Sequence, residues 1–308
     1  MTKGLITGAS GLLGANLVLA AMNTRDVIAV CHEHPIHLPN HVVVEVDLSI
    51  ENNVRELFRT TSPDWVIHCA AATDVDRCQE DPGWAVSLNR DMAGYVAEAA
   101  RDCHARLIHI STDAVFDGAA APYAEDDLAD PINVYGKTKL EGERIVSELN
   151  ADAAIIRCNI FGWNARAKHN LAEWFIDHLE RDEVCPGFTD VLVSPILVND
   201  LGDVLFQIID RGLSGIFHVG SKSCLSKYEF GVSLARAFGL DENLIQPVLS
   251  DQVALKAPRP KDLCLKTQKI EGEIDGRLPN VDECILAFHN LSEIGYVERL
   301  KDLMRREP

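Results

Sequence analysis

Short runs of aliphatic and β-branched residues alternate along this chain with longer stretches whose apolar positions recur at helical spacing. The alternation is cleanest in the first half. Blocks of strand length lie at 3–7, 26–31, 42–46, 65–69, 106–110 and 153–157, and helical patterns lie at 12–23, 50–60, 84–102 and 135–150. Strands that are apolar throughout, and do not alternate, imply a sheet covered on both faces. Strand–helix–strand order implies parallel strands joined by right-handed crossovers. Residues 1–160 are therefore expected to form a doubly wound α/β domain.

Beyond 160 the pattern is less regular. Helices are expected at 170–183, 200–211, 227–238, 281–291 and 296–306, with a short strand at 215–219. Proline and glycine break up 247–279. This predicts a smaller C-terminal lobe over 161–308, some of whose segments return to the main sheet.

Composition narrows the class of partner. The 308 residues are 47% hydrophobic and 25% charged, ordinary values for a globular protein. A net charge of −18 argues against nucleic acid and anionic membranes as partners. No apolar run reaches membrane-spanning length. The stretch 12–22 is interrupted by Gly14 and Asn16, so a glycine turn explains it better than a signal peptide. Nine cysteines without a CxxC pair read as reduced thiols in a cytoplasmic protein, with no metal site.

Two motifs carry the chemistry. In Thr7-Gly8-Ala9-Ser10-Gly11-Leu12-Leu13-Gly14, glycines follow a strand and open a helix. There they permit a tight turn and close approach of backbone N–H groups to a pyrophosphate, so Gly8, Ser10, Gly11 and Leu12 are expected to bind a dinucleotide. The segment after the second strand, Cys31-His32-Glu33-His34, leaves the cofactor open. Its histidines favour a 2′-phosphate and its carboxylate a free ribose hydroxyl. Asp47 and Leu48 are placed to touch adenine, although Asp47, like Ser49, is also placed to cap the next helix. Ala70, Ala71 and Ala72 offer small side chains where a dinucleotide could pass. The second motif pairs Tyr135 with Lys139, four apart on one helix face, with Thr112 ending the fifth strand upstream. An ammonium near a phenol lowers its pKa, which suits the phenol to proton transfer at a carbonyl.

These residues resemble an extended short-chain dehydrogenase/reductase of the dTDP-4-dehydrorhamnose reductase family. The resemblance is carried by TGASGLLG at 7–14, CAAATDVDRCQEDP at 69–82, STDAVFDG at 111–118, PINVYGKTKLEGE at 131–143 and Arg259-Pro260. It implies a Rossmann-type fold and reduction of the C4 ketone of a nucleotide-linked deoxysugar by NADPH or NADH. Tyr135 would donate the proton, Lys139 would lower its pKa and bind the nicotinamide ribose, and Thr112 would hold the keto oxygen. Asp113, Asn159 and Arg259 would face the nucleotide sugar, and a homodimer is implied. Where the family carries an aromatic residue this chain has Ala114, which opens space beside the substrate; Trp163 either replaces that ring or belongs to the core. The chain is also similar to the regulatory β subunit of methionine adenosyltransferase, which leaves a noncatalytic, NADP-binding role as the rival reading. Another nucleotide-sugar reductase or epimerase is a second rival.

Overall fold

The computed structural model describes residues 2–39 and 41–305. Its first half runs β1 (Lys3–Thr7), α1 (Leu12–Ala21), β2 (Asp26–Cys31), β3 (Val42–Glu45), α2 (Glu51–Thr61), β4 (Trp65–His68), α3 (Val75–Glu80), α4 (Pro82–Val86), α5 (Met92–Asp102), β5 (Arg106–Ile110), α6 (Val134–Leu149) and β6 (Ala154–Arg157). The second half adds β7 (Asn159–Phe161), α7 (Leu171–Glu180), β8 (Cys185–Phe188), β9 (Leu192–Val193), β10 (Pro195–Leu197), α8 (Val198–Arg211), β11 (Gly215–His218), β12 (Leu225–Ser226), α9 (Lys227–Phe238), β13 (Ile245–Val248), α10 (Gln268–Glu271), α11 (Val281–Glu293) and α12 (Tyr296–Asp302).

Seven parallel strands form the central sheet in the order β11-β6-β5-β4-β1-β2-β3. The Rossmann-type fold expected from the sequence is present. All four residues of β4 are buried, as are the last five of β2, because helices cover both faces. One core lies between the sheet, α1 and α8 and runs on into the second half of the chain. A second lies between the sheet, α2 and α5. The strand order reverses at β1, whose last residue, Thr7, is paired with Val30 on one side and His68 on the other. A crevice opens outside the carboxyl ends of strands at such a switch point.

The second half is stitched to this frame at several places. Strand β11 extends the sheet beside β6. Asn16, buried in α1, donates to the carbonyls of Leu12 and Trp163 and accepts from the Tyr296 hydroxyl at 2.7 Å. The remaining second-half strands pair two by two, β7 with β10, β8 with β13 and β9 with β12. Trp163 belongs to the core, stacked on Phe288 with its indole N–H on the Phe288 carbonyl, so it does not replace the missing ring.

Several local expectations need correction. Neither Asp47 nor Ser49 caps α2; Ile50 holds that position without a side-chain bond, and the Asp47 carboxylate instead accepts from the backbone and hydroxyl of Ser49. The single helix expected over 84–102 is interrupted by a π turn at Ser87–Asp91. That turn buries Asn89, whose amide satisfies both backbone groups of Ala72 and donates to Thr138. The last helix ends at Asp302, and its expected end at 306 lies outside the described residues. The thiols are not all reduced: Cys224 and Cys264 form a disulfide, while the other seven are free. A pair 40 residues apart leaves no local spacing signature. No helix among the described residues is long and apolar enough to cross a membrane.

Candidate active site

A cleft of about 810 Å³ runs along the carboxyl edge of the sheet. At one end lies the β1–α1 turn. Gly8 sits at φ +64°, and a Cβ there would come within 2.8 Å of the Ala70 backbone nitrogen, so a side chain is excluded by both strain and space. Gly11 caps α1 with extended backbone and no side-chain bond. The first N–H groups of the helix therefore lack intrahelical partners and border the cleft, with Ser10, Gly11 and Leu12 lining it. An uncapped helix N-terminus with no Cβ in the way fits a diphosphate.

Asp47, Leu48, Ala70 and Ala71 also line the cleft. Burial pushes the Asp47 carboxyl up, but hydrogen bonds from Ser49 and the nearby His32 outweigh it and hold its pKa below the usual range. Ala72 does not reach the cleft. It is fully buried, and its two backbone groups are taken by Asn89.

The chemical end is built from the loop after β5 and the start of α6. Asn133 caps α6, accepting from Gly136 N at 2.8 Å, while its amide donates to the Pro258 carbonyl in the second half. A Cβ on Gly136 would run into the Ala114 carbonyl oxygen. Glycine at that position lets the helix press against the β5 loop and brings Tyr135 beside Thr112. Tyr135, Lys139, Thr112, Asp113 and Asn159 all line the cleft here. Asn159 donates to the Asp113 carboxylate at 2.7 Å, and Thr112 donates to its other oxygen at 3.1 Å.

Electrostatics at this end differ from the expectation. Lys139 donates to the Ile110 carbonyl at 2.6 Å. Burial lowers its pKa to about 8, against the raising effect of Glu143. Burial also raises the Tyr135 phenol above its usual value, more than the Thr112 hydroxyl lowers it. Burial, and not the Lys139 charge, is the largest influence on the phenol here. Asp113 is pushed up to about 6 by burial, with bonds from Asn159 and Thr112 and the Lys227 charge opposing.

The opposite wall comes from the second half. Arg259 lines the cleft and is paired with Asp76 at 2.9 Å, which holds it in place. Lys227, absent from the sequence expectation, lines the cleft near Asp113 and Arg259, and burial lowers its pKa. It is the first residue of α9, where the helix dipole disfavours a cation. That misplaced charge was the available signal. Arg77 lies 3.9 Å over the Trp84 ring, and both border the cleft.

Comparison with known proteins places this geometry. A family model described as the RmlD substrate binding domain matches residues 2–291. A probable low-salt glycan biosynthesis reductase, Agl14, of Haloferax volcanii is 33% identical over 92% of this chain and 96% of its own length. The methionine adenosyltransferase 2 subunit beta of Bos taurus is 31% identical over 87% of this chain and 81% of its own. The crystal structure of dTDP-4-dehydrorhamnose reductase from Bacillus anthracis in complex with NADP superposes with a TM-score of 0.84 at 27% identity, covering 93% of this chain and 98% of that one.

Proposed function

The chain belongs to the RmlD substrate binding domain family, and we propose that it is an NAD(P)H-dependent oxidoreductase that reduces the C4 ketone of a nucleotide-linked deoxysugar. One observation carries the reading: Thr112, Tyr135 and Lys139 meet on the cleft that starts at an uncapped glycine turn. In this reading residues 1–160 hold the cofactor and 161–308 the sugar, with Gly215–His218 returning to the sheet.

Gly8, Ser10, Gly11 and Leu12 would hold the cofactor diphosphate, Asp47 and Leu48 the adenine, and Ala70 and Ala71 the path between. When bound, the reduced nicotinamide supplies the hydride. The chain supplies orientation and the proton. Thr112 would turn its single hydroxyl proton from Asp113 to the keto oxygen, and Tyr135 gives its proton to that oxygen as negative charge develops there. A phenol held protonated by burial is in the form that a reduction consumes. Lys139, charged below about pH 8, stabilises the phenolate left behind and faces the nicotinamide ribose. Asp113 and Asn159 hydrogen-bond to sugar hydroxyls, and the Lys227 and Arg259 charges meet the sugar diphosphate. Ala114 leaves room beside the sugar for a substituent that an aromatic ring would exclude. A homodimer is the assembly proposed from the family resemblance.

The likeness to the methionine adenosyltransferase subunit favours a second reading, a regulatory protein that binds cofactor without turnover. The two separate in one assay. Oxidation of NADPH or NADH is followed by absorbance with dTDP-4-dehydrorhamnose as substrate, beside a Tyr135→Phe control. Turnover at least a hundredfold lower in the control, with cofactor affinity within about twofold, is expected for the enzyme. Turnover equal in the two proteins would sink the assignment of Tyr135. Tight cofactor binding without turnover on this or related ketosugars would favour the regulatory reading.

A further inference from the structure

The end of the second strand is where a Rossmann-type fold distinguishes a free ribose hydroxyl from a 2′-phosphate. Here β2 ends at Cys31, and His32, Glu33 and His34 follow along the cleft wall. The second half of the chain reaches this point as well. Arg166, on the segment between β7 and α7, places its Nη2 2.6 Å from Nε2 of His34, 132 residues away in sequence. Lys168 lines the same wall.

From this geometry we infer that Arg166 selects NADPH over NADH by binding the 2′-phosphate, with His34 positioning its guanidinium. The inference rests on reading the cleft as a dinucleotide site. Because a guanidinium only donates, Nε2 of His34 accepts, and that contact uses one of five N–H groups. Among the described residues the Arg166 side chain makes no other hydrogen bond and no ion pair. In a chain of net charge −18, an arginine that is half-buried on a cleft wall without a carboxylate partner is a cation with donors to spare. A phosphate dianion takes two of those donors in the planar fork that Arg presents and Lys does not.

The acidic groups nearby do not fill the competing role. Asp47 gives one oxygen to the backbone and hydroxyl of Ser49, and its other oxygen is the acceptor proposed for the adenine. Glu33 is exposed and makes no hydrogen bond among the described residues, so it is free to turn to solvent when a phosphate arrives. The guanidinium, by contrast, is held in place by His34.

The test is calorimetric binding of adenosine 2′,5′-bisphosphate, adenosine 5′-diphosphate, NADPH and NADH to the full chain, with Arg166→Ala and Arg166→Lys beside it. The first nucleotide carries the 2′-phosphate and the second lacks it. The unaltered chain is expected to bind the 2′-phosphorylated member of each pair about ten- to hundredfold tighter, the range of a charge-assisted hydrogen bond. Arg166→Ala should bring each pair within about threefold while leaving the affinity for adenosine 5′-diphosphate unchanged, which also shows that the variant is folded. Arg166→Lys should fall between. Equal affinity for both members of each pair in the unaltered chain overturns the inference and leaves the dinucleotide reading standing. So does equal weakening of both members in Arg166→Ala, or full retention of the preference in that variant. Failure of all four ligands to bind overturns the dinucleotide reading itself.

Discussion

The two ends of the cleft are built on opposite principles. At the chemical end every group that would touch the reacting carbonyl sits in low-dielectric surroundings, and burial is the largest influence on Tyr135, Lys139 and Asp113 alike. Their positions are fixed by backbone fit: Gly136 against Ala114, Asn133 across to Pro258, Lys139 on the Ile110 carbonyl. At the adenosine end the groups are polar, more exposed and set on loops, and recognition depends on which charges face the wall. Changes at the first end should therefore strike turnover, and changes at the second should strike cofactor affinity alone.

The largest break should come from Lys139→Met. It removes the charge that stabilises the phenolate and leaves the Ile110 carbonyl without its donor. A loss of about 10³-fold in kcat is expected from steady-state kinetics, within the usual span for such groups, together with weaker cofactor binding. If kcat survives within tenfold, the chemical end does not depend on that charge. Next is Gly136→Ala. Its methyl would meet the Ala114 carbonyl, so the helix start must move away and carry Tyr135 with it. A displacement of that kind costs about 10²-fold in kcat while the affinity for NADPH stays near normal. A normal kcat in this variant would show that the loop yields without moving the phenol.

A smaller effect is expected from pH. With Lys139 at about 8 in the free protein, its charged form is full below that value and is lost as pH rises through it. The kcat/KM for ketone reduction should accordingly be flat near neutrality and fall above about pH 8, approaching tenfold per pH unit. The phenol adds no fall in this range, since its pKa is raised. The stability contribution of Lys139 runs the other way. A base whose folded pKa lies below its unfolded value binds fewer protons when folded, so between about pH 8 and the usual lysine range this group favours folding increasingly as pH rises. Activity falling while the melting temperature holds or rises would separate titration of Lys139 from general alkaline unfolding.

The same contrast governs what could be read from the sequence. The sheet was legible because the first-half strands are compact apolar blocks, most of them followed by a periodic helix, and because the glycine turn and the Tyr135–Lys139 pair are local patterns. What escaped depends on contacts between distant residues. Asn89 enters the interior through a π turn that helical periodicity does not distinguish from ordinary helix. Strands β9 and β12 are two residues each and pair across a long span, with Leu192 of β9 also bridged to distant Asp262. Cys224 meets Cys264, and Arg166 meets His34, across spans that leave no trace in spacing. Phenol titration escaped for a related reason: proximity of Lys139 follows from helix geometry, but the depth of burial that outweighs it belongs to the folded cleft.

The finest probe of the adenosine end is Asp47→Asn. One oxygen of Asp47 accepts from the backbone and hydroxyl of Ser49, and an amide oxygen can take over both bonds, so the turn before α2 should survive. The other oxygen, which makes no hydrogen bond among the described residues and is the acceptor proposed for adenine, becomes an NH₂ group and can no longer accept from the adenine amine. Losing one such bond at a half-exposed site is worth about 1 kcal/mol, so the KM for NADPH should rise about fivefold with kcat unchanged. Reduced nicotinamide mononucleotide, which lacks the adenine, should serve the variant and the unaltered chain equally well. A drop in kcat would mean that the two ends are mechanically joined through α2 and the sheet edge. An equal loss with the truncated cofactor would place the Asp47 effect in the turn, away from adenine.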